Sequence, residues 1–219
     1  MSKKRLSKGE KLERGASWVI GVILLAIILV VVIFFVRQKL YGPVFKYKDY
    51  QVTKVMPKGT SAVIYSLRAP IRIYASTKTY HINLYNDPRK LKDIEVENTT
   101  REVLLDPKPK HVYLTFDPEL PNQGYVGLAT TEIARILGYN GVFQLPVSGA
   151  VTKKVAGLEN KTVTCNDSDE NNLVIEFRYA NETKIFVDEH YWRCVIVQGT
   201  NKDELLRAAD KTILTLLGI

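Results

Sequence analysis

One stretch of the chain is apolar without interruption. From Trp18 to Val36 it reads WVIGVILLAIILVVVIFFV, with no charged side chain. At the helical rise this is roughly 28 Å of apolar cylinder, enough to cross a bilayer core. A backbone in hydrocarbon must satisfy its own hydrogen bonds, so a helix is expected despite the many β-branched residues. Beyond it the pattern changes to period two. Phe45-Lys46-Tyr47-Lys48, Val63-Ile64-Tyr65, Ile71-Arg72-Ile73-Tyr74 and Tyr80-His81-Ile82-Asn83-Leu84 read as half-buried strands. Breaks fall at Pro57-Lys58-Gly59, Ala69-Pro70 and Asn86-Asp87-Pro88, which predicts an antiparallel meander.

After the Pro-rich break at 106–110, a strand is expected over His111–Phe116. A turn follows, then a helix over about 126–137. Leu128, Ala129, Ile133, Ile136 and Leu137 share one face of it, and Gly138 is placed to stop it. Gly141–Leu145 is read as a returning strand, giving the order of a compact βαβ unit. Residues 156–171 are polar and predict a loop. Leu173–Tyr179 and Lys184–Val187 predict a hairpin around Ala180-Asn181-Glu182-Thr183, and Cys194–Val197 a further strand. The last helix is expected over about 202–217, with Asn201 and Glu204 as a capping box and Leu205, Ala209, Ile213 and Leu216/Leu217 as its buried stripe.

The expected class is α+β: one N-terminal transmembrane helix, then an extracytoplasmic domain of mainly antiparallel strands with two packed helices. The boundaries are a basic cytoplasmic tail (1–17), the transmembrane helix (18–36), a juxtamembrane stalk broken at Gly42-Pro43 (37–45) and the outer domain (46–219).

Charge orients the span. Lys3, Lys4, Arg5, Lys8, Lys11 and Arg14 precede it against Glu10 and Glu13, while Arg37, Lys39, Lys46 and Lys48 follow it. The positive-inside rule therefore puts the N-terminus in the cytoplasm and the C-terminal domain outside the cell membrane. Trp18, Tyr41 and Phe45 suit the two interfaces. The run is too long for a signal-peptide core and no small-x-small site follows it, so it reads as an uncleaved anchor. The formal charge is +8, and half of that excess lies in the tail. It reads as positive-inside sorting plus a solvated surface, with attraction of the tail to anionic lipid headgroups as the sharper alternative; no basic stripe interleaved with aromatics argues for nucleic acid.

The outer side also carries both cysteines. An even count outside the cytoplasm favours a Cys165–Cys194 disulfide over two buried thiols. Four Asn-x-Ser/Thr sequons, at Asn98, Asn160, Asn166 and Asn181, all follow the span and are candidate N-glycosylation sites.

The segment Arg14-Gly15-Ala16-Ser17-Trp18-Val19-Ile20-Gly21 resembles the start of archaeal type IV pilins and related surface proteins. That resemblance implies cleavage between Gly15 and Ala16, and a filament whose core is the apolar helix. Trp18 is bulkier than the pilin pattern, and Arg37 and Lys39 end the helix sharply. Near the other end, Val195–Thr200 followed by Leu205–Ala209 resembles the strand–Gly–helix modules of archaeal S-layer proteins.

Catalytic signatures are sparse. Ser148 in Pro-Val-Ser-Gly-Ala lacks the first glycine of a nucleophile elbow and reads as a turn serine. His81, His111 and His190 are far apart in sequence, and Asp188-Glu189-His190 reads as a solvated hairpin end before it reads as a metal site. Asp117 and Glu119 flank Pro118 and read as a decorated turn. No phosphate loop occurs. No enzyme, metal or cofactor is expected. The expected partners are the lipid bilayer and other envelope or filament proteins, including further copies of this chain. The function read from the sequence is a single-pass surface protein with a structural or interaction role. The alternatives are a pilin-like subunit and an extracytoplasmic glycan-processing hydrolase, which a polar cleft with converging carboxylates would favour.

Overall fold

The computed structural model describes residues 8–41, 44–60, 62–73, 76–156, 159 and 161–219. Side chains are described for 18–37 within the first helix and through Arg72 in the third strand. The break at Gly42-Pro43 and the sequon at Asn160 lie outside the described residues. The chain forms two compact units, 1–43 and 44–219.

The first unit is one helix, α1 (Lys8–Tyr41). Trp18–Arg37 within it is long and apolar enough to cross a membrane, and none of that window is buried by protein.

The second unit is α+β. Its first half is an antiparallel meander, β1 (Val44–Tyr47), β2 (Tyr50–Val55), β3 (Ile64–Ile73) and β4 (Ser76–Leu84), paired in sequence order. Alternation sorts the faces: Val52, Leu67, Ala69, Tyr80, Ile82 and Leu84 are buried, while Gln51, Arg68, Pro70, Thr79 and His81 are exposed. The expected break at Ala69-Pro70 does not occur, and β3 runs straight through it. β2 pairs with β3 only as far as Arg68, so Pro70 has a strand on one side only. Its missing N–H therefore costs no ladder bond on the open side.

The second half forms a six-stranded mixed sheet. Its strands are β5 (Glu95–Val96), β6 (His111–Phe116), β7 (Val147–Val151), β8 (Asn172–Tyr179), β9 (Lys184–Val187) and β10 (Cys194–Gly199). Their spatial order is β5-β9-β10-β8-β6-β7. β6 pairs in parallel with β7 and β8, β8 with β10, and β5 with β9; β9 and β10 are antiparallel. The expected β8–β9 hairpin does not form, because β10 lies between the two strands. All six residues of β10 are buried, as befits a central strand covered on both faces. The expected strand at Gly141–Leu145 is also absent. Gly141 lies against the end of a helix, where a Cβ would meet the Arg135 and Ile136 carbonyl oxygens at 2.3 Å, and Gln144 takes a positive φ. The strand starts later, at Val147.

Three helices complete the unit: α2 (Thr100–Leu105), α3 (Gln123–Leu137) and α4 (Lys202–Leu216). α2 was not anticipated; six residues with no side-chain cap carry little periodic signal. One core joins Val52, Leu67 and Leu84 of the meander, Val126, Ile133 and Leu137 of α3, Leu205, Ala209 and Ile213 of α4, and Leu114, Ile175 and Val197 of the mixed sheet. Asn201 caps α4 by accepting from the N–H groups of Asp203 and Glu204. Glu204 does not return the bond; it pairs with Arg207. Where β10 feeds α4, a Cβ on Gly199 would lie 2.2 Å from the Leu205 nitrogen, so this approach admits only glycine.

Candidate functional site

The opposite face of the mixed sheet is covered by residues 161–167 of the polar stretch that follows β7. Parallel Val151–Thr162 pairing begins that cover. A single 3-10 turn at Cys165–Asp167 follows, in which Asp167 accepts from the Thr164 N–H and hydroxyl. The Cys165–Cys194 disulfide then fastens the segment to the start of β10. Beneath it lies a second, small core of Ala150, Val163, Val174 and Ile196. The disulfide read from the sequence is therefore present, and it holds a loop over a sheet that would otherwise expose apolar side chains.

The sequons at Asn98, Asn166 and Asn181 are exposed. Asn181 lies in the connection that passes from β8 to β9. Gly15 and Ala16, the candidate processing pair, lie within the helical backbone of α1.

The structure brings together one pair that sequence reading left apart. His111 opens β6 and Ser148 lies in the neighbouring β7, on the same face, with Nε2 and Oγ 3.0 Å apart. The parallel register that pairs Tyr113 with Ser148 makes the contact. The His111 ring stacks on Tyr113 at 4.5 Å, and Lys161 donates to the Tyr113 hydroxyl at 2.7 Å while sitting over its ring. Burial, and then the Lys161 charge, push the His111 pKa down, so the imidazole is neutral at pH 7 and can accept a proton. A serine beside a neutral histidine is two-thirds of a nucleophilic constellation. Among the described residues no carboxylate bonds to the second His111 nitrogen. Only the three-dimensional register could have exposed this pair, since 37 residues separate its members.

Further along the same face, Glu176 lies with a carboxylate oxygen 3.5 Å from the Cys165 sulfur. Burial raises its pKa, Arg178 opposes the rise, and Asp188 and Asp117 add to it. Arg178 donates to Gln198 at 3.3 Å and stands over Phe186. The other candidates settle as structural groups. Asp117 and Glu119 both hold Lys153. Asp188 accepts from the His190 and Tyr191 N–H groups, capping a turn. His81, His111 and His190 stay apart, and no group of three or more metal-ligating side chains forms among the described residues.

A second polar centre lies inside the domain. Asp210 of α4 is fully buried and accepts from the Tyr85 N–H (3.0 Å), the Asn86 N–H (2.7 Å) and the Asn86 amide (2.8 Å). Burial pushes its pKa up to about 7 against the pull of these bonds, and the nearby Glu132 adds to the rise. Glu132 of α3 is itself raised by burial, and pairs with Arg135 at 3.3 Å. Glu132 and Arg135 also line a crevice of about 170 Å³ with Ile82, Ile136, Asn140 and Val142. These two carboxylates converge, but Asp210 is consumed by backbone bonds that fix the end of β4 to α4.

Comparison with family models, with curated proteins and with solved structures finds no match.

Proposed function

We propose that this chain is a single-pass membrane-anchored surface protein, N-terminus in the cytoplasm, whose domain 44–219 serves a structural or interaction role in the cell envelope. The observation that carries the reading is α1. Every side chain described from Trp18 to Arg37 is exposed on the protein, and nearly all are apolar. Such a surface is stable only when covered, and lipid covers a helix of this length without any further element. A disulfide that fastens Cys165 to the start of β10, exposed sequons, and the basic tail agree with an oxidising, extracytoplasmic side. The interaction role rests on what the domain presents: ion-paired turns, a capped sheet and buried carboxylates committed to structure. Processing between Gly15 and Ala16 to give a pilin-like subunit is the same anchor put to a second use.

The His111–Ser148 pair supports one other reading, a hydrolase that acts on the outer side, with Ser148 as nucleophile and His111 as base.

The test uses the full chain expressed in cells. Resistance to alkaline carbonate extraction, a fall in mass on deglycosylation and protection of the Cys165–Cys194 bond until reductant is added support the proposal. Extraction by carbonate, or free thiols with no glycan, refutes the anchor or its orientation respectively. A mature chain starting at Ala16 selects the pilin-like use. Labelling of Ser148 by a fluorophosphonate selects the hydrolase.

A further inference from the structure

The outward face of the antiparallel meander has a charge pattern that folding alone does not require. Strand pairing puts Lys46 opposite Gln51, Gln51 opposite Arg68, and Arg68 opposite His81, so these four side chains form one row across all four strands. Arg72 stands opposite Thr77 on the same face. The remaining outward positions are Val44, Thr53, Val55, Ile64, Ser66, Pro70, Thr79 and Asn83, none of which is acidic. Lys46, Arg68, Arg72 and His81 are all exposed. Within the row Lys46 and Arg68 stand on either side of Gln51, and no acid stands opposite or between them. Several basic groups of the domain have acids beside them, among them Arg207 with Asp93 and Glu204, Arg89 with Asp87, and Lys153 with Asp117. Here no described carboxylate does so.

From this we infer that the outward face of the β1–β4 sheet docks on anionic lipid headgroups. The inference rests on the anchored reading above. Two features choose lipid as the occupant. Phosphate complements an acid-free array of Lys and Arg, and the hydroxyls of Thr53, Ser66 and Thr79 offer donors between them. Moreover, only Gly42 and Pro43 separate the end of α1 from β1, a contour of about 10 Å. An anchored chain therefore cannot carry this sheet far from the headgroup layer. Arg68 and Arg72 would bind phosphate oxygens by their forked N–H groups, and Lys46 would act as a point charge.

The experiment reconstitutes the full chain into vesicles of phosphatidylcholine alone, or of phosphatidylcholine with phosphatidylglycerol. A dye on Thr79→Cys reports quenching by a headgroup nitroxide, and a dye on Glu189→Cys, in a turn of the other sheet, serves as reference. The expected result is quenching of the Thr79 dye that rises with phosphatidylglycerol and falls with salt. At about fivefold per cation removed, Lys46→Gln with Arg68→Gln and Arg72→Gln should cut the docked-to-undocked ratio on the order of 100-fold. If the triple variant melts early, Arg68→Gln alone should still give the fivefold step. Quenching independent of lipid charge, or unchanged in the variants, overturns the inference. A Thr79 dye that ignores phosphatidylglycerol but responds to dextran sulfate overturns it too, and assigns the face to an acidic polysaccharide. Flotation of the chain with the vesicles after carbonate is scored separately; its failure sinks the anchor and the docking together, whereas flotation without quenching sinks the docking alone.

Discussion

Replacing Asp210 by Asn tests the largest electrostatic cost in the domain. The carboxyl is fully buried on α4, with its pKa raised from 3.8 to about 7 by burial first, and its Oδ2 accepts three hydrogen bonds. A folded pKa above the unfolded one means that the native state holds the proton more tightly. The associated stability is complete below the unfolded value and is lost as pH rises through the folded one. The shift of about three units corresponds to roughly 4 kcal/mol, lost between about pH 4 and pH 7. Asn is isosteric, its Oδ1 can accept the same three bonds, and it does not titrate. Asp210→Asn should therefore match the parent near pH 4 and exceed it by about 2–4 kcal/mol above pH 7, the lower figure allowing for the loss of charge-assisted bonds. Urea unfolding of the two proteins across this range, followed by near-ultraviolet circular dichroism, gives the difference directly. Carboxylates whose pKa values are lowered, such as Asp87 and Asp93, are common to both proteins and cancel. Stability curves that run parallel across the range, or a variant weaker at neutral pH, would refute the reasoning. Glu132→Gln in the parent should move the transition to lower pH, because Glu132 adds to the rise.

Three further outcomes follow from the packing. Arg193 is fully buried and donates to the Val103 carbonyl at 2.5 Å and the Pro107 carbonyl at 2.8 Å, so Arg193→Met should cost about 3 kcal/mol in denaturant midpoint through two orphaned acceptors. Opening the Cys165–Cys194 bond, whose partners are 29 residues apart, should cost about 3.6 kcal/mol on the chain-entropy scale, read by melting with and without reductant. Gly199→Ala would drive a methyl group into the Leu205 backbone, so it should destabilise by at least 3 kcal/mol or abolish soluble expression of the full chain in detergent.

The sequence made local features legible and left long-range ones dark. The apolar span, the alternation of the meander and the stripe of α4 are patterns within one element, and each appears where its period puts it; in α3 the expected Leu128 is exposed, and Val126, three residues before Ala129 on the same face, is buried in its place. The disulfide was legible because only two cysteines exist. Pro70 misled because its cost depends on whether a strand lies on its open side. The β8–β9 hairpin misled because a short polar connection suits a hairpin, and nothing near it announces that β10 will fill the gap. The His111–Ser148 contact stayed invisible for the same reason: parallel register is decided by the whole sheet. The row Lys46-Gln51-Arg68-His81 could have been assembled from the alternation once the hairpin registers were known, but each residue alone looks like an ordinary exposed position.

The insertion of β10 has a consequence for biogenesis. β8 and β9 are synthesised before the strand that separates them, so for a time the chain presents two apolar edges with nothing to bond. Loop closure brings no reward there until residues through Gly199 are available, and α4 must then seal the same strand. A nascent domain of this design gains little from folding as it emerges, and is best served by assembling its sheet in a single late step. Ribosome-stalled chains ending before Cys194 should accordingly be protease-sensitive throughout 111–193, with protection arriving abruptly once α4 is included.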